Sequence, residues 1–233
     1  MSSSALKVAV RGAIVSAIVM AGANTASADL VAGWSMTTAV PGSTTGAAYS
    51  YGAADAGSNA AGSMLSGSHV AAATTWSSPT GNGSTYSLSS NNWTIGDYYQ
   101  VSFDTLGSTS NSISWDQTRS GTGPSTFDAL MSVDGGTTWT TILAGYAVVQ
   151  AGLAGSGTTS WNTMTNQPVF TQTVALGAGA DNQASVLVRF ATTVTTAAAG
   201  TNRVDNINVT NTIPAPGAIA LISLAGLVAR RRR

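Results

Sequence analysis

The sequence predicts one all-β domain, a sandwich of two antiparallel sheets, with an apolar segment at each end of the chain. Apolar and polar residues alternate along several short segments, and a period of two indicates half-buried strands. Glycine, proline and asparagine punctuate the chain between these segments. Glutamate is absent while Ser, Thr, Gly, Ala and Asn dominate, a composition that favours strands over helices. Eight or so strands separated by turns are typical of a jelly-roll-like sandwich.

The first third of the domain gives the weaker pattern. Leu30, Ala32 and Trp34 alternate with smaller residues and predict a first strand over 29–36. Residues 41–63 are rich in Gly, Ala, Ser and Thr, and we expect an irregular arm there. A second strand over 68–76 ends before a proline and a Gly-Asn-Gly turn.

The pattern is sharper from residue 92 onward, where aromatic and β-branched residues occupy alternate positions. Glycine-rich segments over 119–124 and 145–168 predict loops. Trp34, Trp115 and Trp139 lie on alternating segments and are predicted to be core. The remaining strands are predicted over Tyr99–Asp104, Ser112–Asp116, Thr126–Val133, Thr138–Leu143, Val169–Leu176, Ser185–Ala191 and Val204–Val209.

The N-terminal segment has the three parts of a secretory signal. Lys7 and Arg11 precede an apolar run over 12–23, which predicts a signal helix. Ala26 and Ala28 supply the small residues that signal peptidase requires, so the mature chain is predicted to begin at Asp29. The chain is therefore expected to be exported.

The C-terminal segment has the pattern of a membrane-targeting segment. Pro214, Ala215 and Pro216 lead into an apolar run over 217–229, and the run is followed by four arginines, which are expected to stay on the cytoplasmic side. This tail resembles the PEP-CTERM sorting signal of bacterial exported proteins, with Ala215 where that motif has glutamate. The resemblance implies processing by an exosortase-type enzyme, transient or permanent anchoring of the C-terminal hydrophobic helix in the inner membrane, and release to the cell surface or medium. A plain C-terminal anchor is the alternative, although the run is shorter than the ~20 residues of a spanning helix. The closing arginines are Arg230, Arg231, Arg232 and Arg233.

Between the two targeting segments, residues 29–212 form the predicted extracytoplasmic domain. The signal peptide covers residues 1–28, and the sorting or anchor segment covers residues 213–233. Within the domain three arginines stand against nine aspartates, a net charge of −6. An acidic domain without a basic patch excludes nucleic acid as a partner. The absence of cysteine excludes disulfides and thiolate metal sites.

One hairpin carries a sharp local motif. The segment 132–139 matches the Asp-box pattern Ser-x-Asp-x-Gly-x-Thr-Trp, in which an aspartate accepts hydrogen bonds across a glycine turn. Asp-boxes recur in sialidase propellers and other secreted carbohydrate-active proteins, where the resemblance implies a structural role. A single copy excludes a propeller of repeated blades. The residues are Ser132, Asp134, Gly136, Thr138 and Trp139.

A second patch, 203–209, resembles the closing strand of many secreted jelly-roll and carbohydrate-binding modules. Asp205 in this strand is expected to cap a loop or to pair with Arg189 or Arg203. It is also a weak candidate ligand for a structural calcium ion, which prefers carboxylate and carbonyl oxygens. No cofactor is otherwise predicted.

Nothing in the sequence forms a recognisable catalytic motif. His69 is the only histidine, lacks a nucleophile motif around it and is expected at the surface or a strand edge. Glycoside hydrolysis needs two carboxyl groups, and Asp104 and Asp116 are the aspartates nearest to strand aromatics.

Exposed aromatic residues are the remaining route to a ligand. Sugars stack on exposed Trp or Tyr rings, and four aromatics in or beside predicted loops could serve: Trp76, Trp93, Tyr98 and Trp161. We therefore expect an exported, non-catalytic surface or extracellular-matrix protein associated with exopolysaccharide. A carbohydrate-binding module is the second hypothesis, with extracellular polysaccharide as partner, and a secreted glycan-active hydrolase is the third.

Overall fold

The computed structural model describes residues 27–42, 44–152 and 160–213. The signal segment with Ala26, and the tail with Pro214, Ala215, Pro216 and the four closing arginines, lie outside the described residues. The predicted signal helix and C-terminal hydrophobic helix therefore stay predictions. Within the described ranges, no helix is long and apolar enough to cross a membrane.

The described chain is almost entirely β-structure, in two antiparallel sheets. The strands are β1 Ser27–Trp34, β2 Thr44–Thr45, β3 Ala48–Ala53, β4 Met64–Ser68, β5 Thr75–Ser77, β6 Leu88–Ser90, β7 Tyr98–Phe103, β8 Ser112–Arg119, β9 Thr126–Ser132, β10 Thr140–Ala147, β11 Thr171–Ala175, β12 Val186–Thr192 and β13 Asn202–Ile213, with 3-10 turns at Pro168–Phe170 and Ala178–Ala180. One sheet has seven strands in the order β11-β8-β13-β6-β5-β2, with β1 also paired to β13. The other has six strands in the order β10-β9-β12-β7-β4-β3. This confirms the predicted two-sheet sandwich.

The core lies between the sheets, where the inward residues of alternating strands meet. Trp115 on β8 stacks on Phe190 of β12, with ring centroids 4.2 Å apart, and so joins the two sheets. Phe127 on β9 and Tyr99 on β7 both contact the ring of Trp93. Burial of these large rings removes apolar surface from water, which is the main force that holds the sheets together.

Three sequence predictions about strands are wrong in detail. The arm over 41–63 is irregular only in its second half, because its first half contains β2 and β3. The predicted strand over 68–76 is not formed, because only its two ends lie in strands, Ser68 in β4 and Thr75 and Trp76 in β5, and these strands belong to different sheets. Strand β6 was not predicted at all, because its three residues, Leu-Ser-Ser, carry no alternation and are all buried.

The first and last strands of the domain pair with each other. Strand β1 runs antiparallel to β13, with Ser27 opposite Ile213 and Trp34 opposite Ile207. Since β13 also pairs with β8 and β6, it is held on both sides. The chain consequently enters and leaves the domain at neighbouring points.

Candidate functional site

The outward side of the six-stranded sheet carries a group of stacked side chains. The guanidinium carbon of Arg189 lies 4.0 Å from the ring centroid of Tyr98 and 4.1 Å from that of Trp139. Its Nε donates a hydrogen bond of 2.7 Å to Oε1 of Gln100. We call Tyr98, Gln100, Trp139 and Arg189 the aromatic–arginine platform.

Strand alternation places three of these residues on one face. Along β7, Tyr98 and Gln100 are half-buried while Tyr99 and Val101 are buried. Arg189 has the same outward setting on β12, where its direct cross-strand partner is Gln100. Because directly opposite residues have Cβ atoms only ~4.5–5.5 Å apart, the side chains of Arg189 and Gln100 lie close enough to form this hydrogen bond.

The fourth residue comes from the Asp-box hairpin between β9 and β10. Asp134 accepts hydrogen bonds from the backbone N–H of Thr138 at 2.9 Å and from its hydroxyl at 2.6 Å. The Ser132 hydroxyl donates to Asp134 and accepts from the Gly136 N–H. Indole Nε1 of Trp139 donates to the Gly136 carbonyl at 3.0 Å, which fixes the ring. These hydrogen bonds confirm the predicted hairpin, and they hold the pKa of Asp134 well below its usual range.

The hairpin folds back over the sheet, and glycine allows the close approach. Gly136 has a φ of 91°, and a Cβ at this position would lie 3.4 Å from the Trp139 ring and 3.5 Å from Leu187. Trp139, predicted to be core, is only half-buried and lies on the outer face. That prediction is wrong because the turn breaks the alternation of the strand.

Around the platform the outward face is mixed, because Leu130 on β9 and Leu187 on β12 are half-buried beside Arg189. Beyond Gln100 the outward side of β7 continues through Ser102, giving a track of ~13 Å at the rise of a strand. It ends at a groove of about 270 Å³ beside Phe103 and Asp104. The carboxylate of Asp128, on the neighbouring strand β9, accepts from the Gly145 N–H at 2.6 Å.

The predicted stacking aromatics are mostly in the wrong place. Trp76 and Trp93 are each 1% exposed and Trp161 is 7% exposed, so none offers a ring face to a sugar. Trp76 and Trp93 pack in the core against Tyr99. Trp161 packs on Phe170 and donates to a loop carbonyl. Of the four, Tyr98 alone lies half-buried on the outer face.

A buried polar cluster lies on the seven-stranded sheet. Asp116 on β8 and Asp205 on β13 are direct cross-strand partners, and both are buried. Asp205 accepts from the Asn82 N–H, the Ser84 hydroxyl and the Asn206 N–H. Asp116 accepts from side chains at 2.5–2.9 Å, namely Asn82, Asn166, Thr171 and Asn206.

These hydrogen bonds define what Asp205 does. Burial raises its pKa to about 7, with the nearby charge of Asp116 adding to the rise, while its three donors act in the opposite direction. The contacts show Asp205 tying the loop that contains Asn82 to β13, which is the loop-capping role. Within the described residues, Asp205 forms no salt bridge with Arg189 or with Arg203. Among the described residues, no group of three or more His, Cys, Asp or Glu could hold a metal ion, and calcium at Asp205 stays an untested prediction.

His69 is buried, so its predicted surface position is wrong. Its Nδ1 lies 3.2 Å from the Asp97 carboxylate, and its Nε2 lies 3.1 Å from the Ser90 hydroxyl. The Ser90 hydroxyl in turn contacts the Tyr99 hydroxyl at 2.9 Å. This is the hydrogen-bond order of a Ser-His-Asp triad. Burial lowers the pKa of His69 despite the opposing effect of Asp97.

The triad-like group is closed to substrates. Ser90 and Asp97 are each 1% exposed and His69 is 5% exposed, with Trp76 and Trp93 packed on the imidazole. The Tyr99 hydroxyl also donates to the Asn202 carbonyl on β13. The arrangement therefore links strands of both sheets inside the core.

The suggested hydrolase pair is not assembled either. Asp104 follows β7 and contacts Asn59, whereas Asp116 lies on β8 in the other sheet beneath its amide donors. The two carboxylates share no hydrogen-bond partner.

Two platform residues, Gln100 and Arg189, were not predicted as site residues. Their outward positions could be read from the alternation of their strands. Their pairing could not, because 89 positions separate them in the chain.

No family model matches the chain, and no curated protein matches it. Among solved structures, the K3 cleaved adhesin domain of Lys-gingipain from Porphyromonas gingivalis W83 is 12% identical, with a TM-score of 0.42, over 79% of this chain and 99% of that one. The family 11 carbohydrate-binding module of the cellulase Lic26A-Cel5E of Clostridium thermocellum is 13% identical, with a TM-score of 0.35, over 80% and 98%. The N-terminal cellulose-binding domain of Cellulomonas fimi β-1,4-glucanase C is 16% identical, with a TM-score of 0.32, over 60% and 90%. At these identities and TM-scores the similarity establishes neither a family nor a ligand for this chain.

Proposed function

We propose that the chain is an exported, non-catalytic surface or matrix protein whose sandwich domain binds polysaccharide on the aromatic–arginine platform. The observation that carries this proposal is the stack of Tyr98, Arg189 and Trp139 on the outward side of a continuous sheet. Aromatic rings offer apolar faces to the C–H groups of a sugar, and adjacent amide and guanidinium groups supply hydrogen bonds to its hydroxyls.

The shape of the surface favours a chain ligand over a small molecule. Small-molecule sites are concave and enclose most of their ligand, whereas the platform lies on an exposed sheet face. The polar track from Tyr98 through Gln100 to Ser102 extends it in one direction. An extended polymer can lie along such a face and make repeated weak contacts.

Two features support a non-catalytic role. The triad-like group of Ser90, His69 and Asp97 is sealed inside the core, where no substrate reaches the hydroxyl. The carboxylates of Asp104 and Asp116 have separate partners in different sheets. Neither arrangement offers the positioned acid and base that glycoside hydrolysis requires.

Export and sorting are the second part of the proposal. The signal segment directs the chain to signal peptidase, with cleavage between Ala28 and Asp29. The tail from Pro214 to Arg233 holds the protein at the membrane until an exosortase-type enzyme processes it. The domain is then displayed on the surface or released into the matrix.

Binding can be tested by affinity electrophoresis of the protein, purified from its own host, in gels that contain a single soluble polysaccharide. The panel would include xylan, mixed-linkage β-glucan, pullulan and polygalacturonate. We expect retardation by at least one polymer, and roughly two- to tenfold weaker binding in Tyr98→Ala and in Trp139→Ala, because stacking contributes ~0.5–1.5 kcal/mol per ring.

Tyr86→Ala is the matched control, since Tyr86 is also half-buried but belongs to the loop before β6 in the other sheet. The thermal unfolding of each variant is also measured, because a variant that binds weakly but keeps the wild-type Tm has lost ligand contacts and not its fold. Binding that survives both platform substitutions, or that falls equally in the control, contradicts the platform as the site.

The sorting proposal needs a separate measurement, intact mass with cell fractionation for the full chain and for a chain lacking residues 214–233. We expect a mature species that begins at Asp29 and is cut near Pro214, and surface location only when the tail is present. An uncut C-terminus in the inner membrane would leave a plain anchor instead.

A further inference from the structure

The proposed polysaccharide site contains a cation whose hydrogen-bonding fork is free. Nε of Arg189 is taken by Gln100, and across the described part of the chain its two terminal NH₂ groups make no hydrogen bond. The rings of Tyr98 and Trp139 hold the guanidinium in place. The free end of the fork is the edge that accepts a carboxylate through two parallel hydrogen bonds.

This cation also lacks an acidic partner. Within the described ranges, no aspartate carboxylate forms a salt bridge with Arg189. Asp128 shares the outer face of the sheet, but its Oδ1 accepts from the Gly145 N–H. A guanidinium that two rings partly shield from water, with no carboxylate beside it, favours an anionic group from outside the protein.

We infer that the platform selects acidic polysaccharides, in which uronate-type sugars place a carboxylate on the Arg189 fork while the pyranose ring lies against Trp139 or Tyr98. This inference rests on the proposed function, because it names the ligand class for the same surface. A neutral sugar would offer the Arg189 fork only hydroxyl groups, whose hydrogen bonds to the guanidinium are weaker than those of a carboxylate.

The charge of the whole domain acts against the encounter, since its net charge of −6 repels a polyanion at long range. At an ionic strength of 0.15 M the Debye length falls to ~8 Å, which screens this repulsion more strongly than the contact pair. Binding is therefore expected to depend on the local fork, and the measurement belongs at that ionic strength.

The test compares polygalacturonate with its fully methyl-esterified form, which keeps the sugar backbone and removes the charge. The full protein from its host is titrated with each polymer at 0.15 M salt. We expect at least roughly tenfold tighter binding to the charged polymer, as charge-assisted hydrogen bonds are the stronger ones. Arg189→Gln should abolish this preference.

Two further variants sharpen the result. Arg189→Lys keeps the charge but loses the planar fork, so most of the preference should disappear. Arg203→Gln removes the same charge from β13 in the other sheet and should leave the preference intact.

The outcomes separate the inference from the proposal beneath it. Equal binding of both polymers that is lost in Trp139→Ala overturns the acidic ligand and keeps polysaccharide binding. A preference that persists in Arg189→Gln also overturns the inference. Binding of neither polymer overturns the acidic ligand, and if the wider panel also fails, polysaccharide binding fails with it.

Discussion

The buried pair of Asp116 and Asp205 predicts that the domain loses stability as the pH rises from 5 to 8. Asp205 has a pKa of about 7 in the folded state, against 3.8 for an unperturbed carboxyl group. At pH 5 the folded protein keeps this proton and the unfolded chain releases it, so protonation favours the folded state. Above pH 7 the carboxyl group is ionised in both states and the advantage is gone.

The size of this change in the free energy of unfolding follows from the folded and unfolded pKa values of Asp205. Between pH 5 and the folded pKa of about 7 lie about two pH units, and each is worth 1.36 kcal/mol, so the free energy of unfolding should fall by about 3 kcal/mol. Burial of the Asp205 carboxyl group is the main physical reason, and the like charge of Asp116 on the neighbouring strand adds to it. Asp205→Asn removes the titrating group and should remove this part of the pH dependence.

Urea unfolding of the wild-type protein and of Asp205→Asn, measured from pH 5 to pH 8, isolates the effect as the difference between two curves. Titration of His69 is common to both proteins and cancels. Asp134→Asn is the control, because the pKa of Asp134 is lowered and it stays ionised throughout this range. It should shift stability by a constant amount. If the wild-type and Asp205→Asn curves run parallel, the carboxyl group does not hold a proton in the folded state.

Three other substitutions probe packing and the hairpin. Trp115→Ala removes the ring stacked on Phe190 between the sheets and should cost ~3–5 kcal/mol in chemical unfolding; a loss under 1 kcal/mol would contradict its place in the core. In Gly67→Ala the new Cβ would lie 2.4 Å from the Trp76 ring, so calorimetry should show a lower Tm, and an unchanged Tm would refute this packing. Ser132→Ala removes the three hydrogen bonds of its hydroxyl in the hairpin turn and should speed hydrogen exchange of the turn amides without altering exchange in the core strands.

Short-range features of this protein could be predicted because their physics is local. Every hydrogen bond of the Asp-box turn joins residues at most four positions apart, so the pattern over 132–139 contains its own explanation. The alternation of β7 and β12 likewise reports which residues face inward. The Asp-box pattern and the strand alternation can both be read from the sequence, because neither depends on contacts with a distant part of the chain.

Burial of individual aromatics could not be predicted, since it depends on partners far along the chain. Trp93 follows two asparagines and reads as a loop residue, yet it packs against Phe127 and the imidazole of His69. Trp139 continues an alternating strand in the sequence, but the two positive-φ glycines before it turn it onto the outer face. The same limit applies to the platform, whose strands come together only in the folded sheet.

The position of the last strand bears on how the domain withstands pulling. A pull on Ile213 along the strand loads β13, whose hydrogen bonds to β1 and β8 lie perpendicular to the strand. Force along that axis shears these bonds together instead of opening them one by one. Since forced rupture is governed by the unfolding rate, a pull on Ile213 along this strand is expected to meet more resistance than a pull that opens the sheet from an edge.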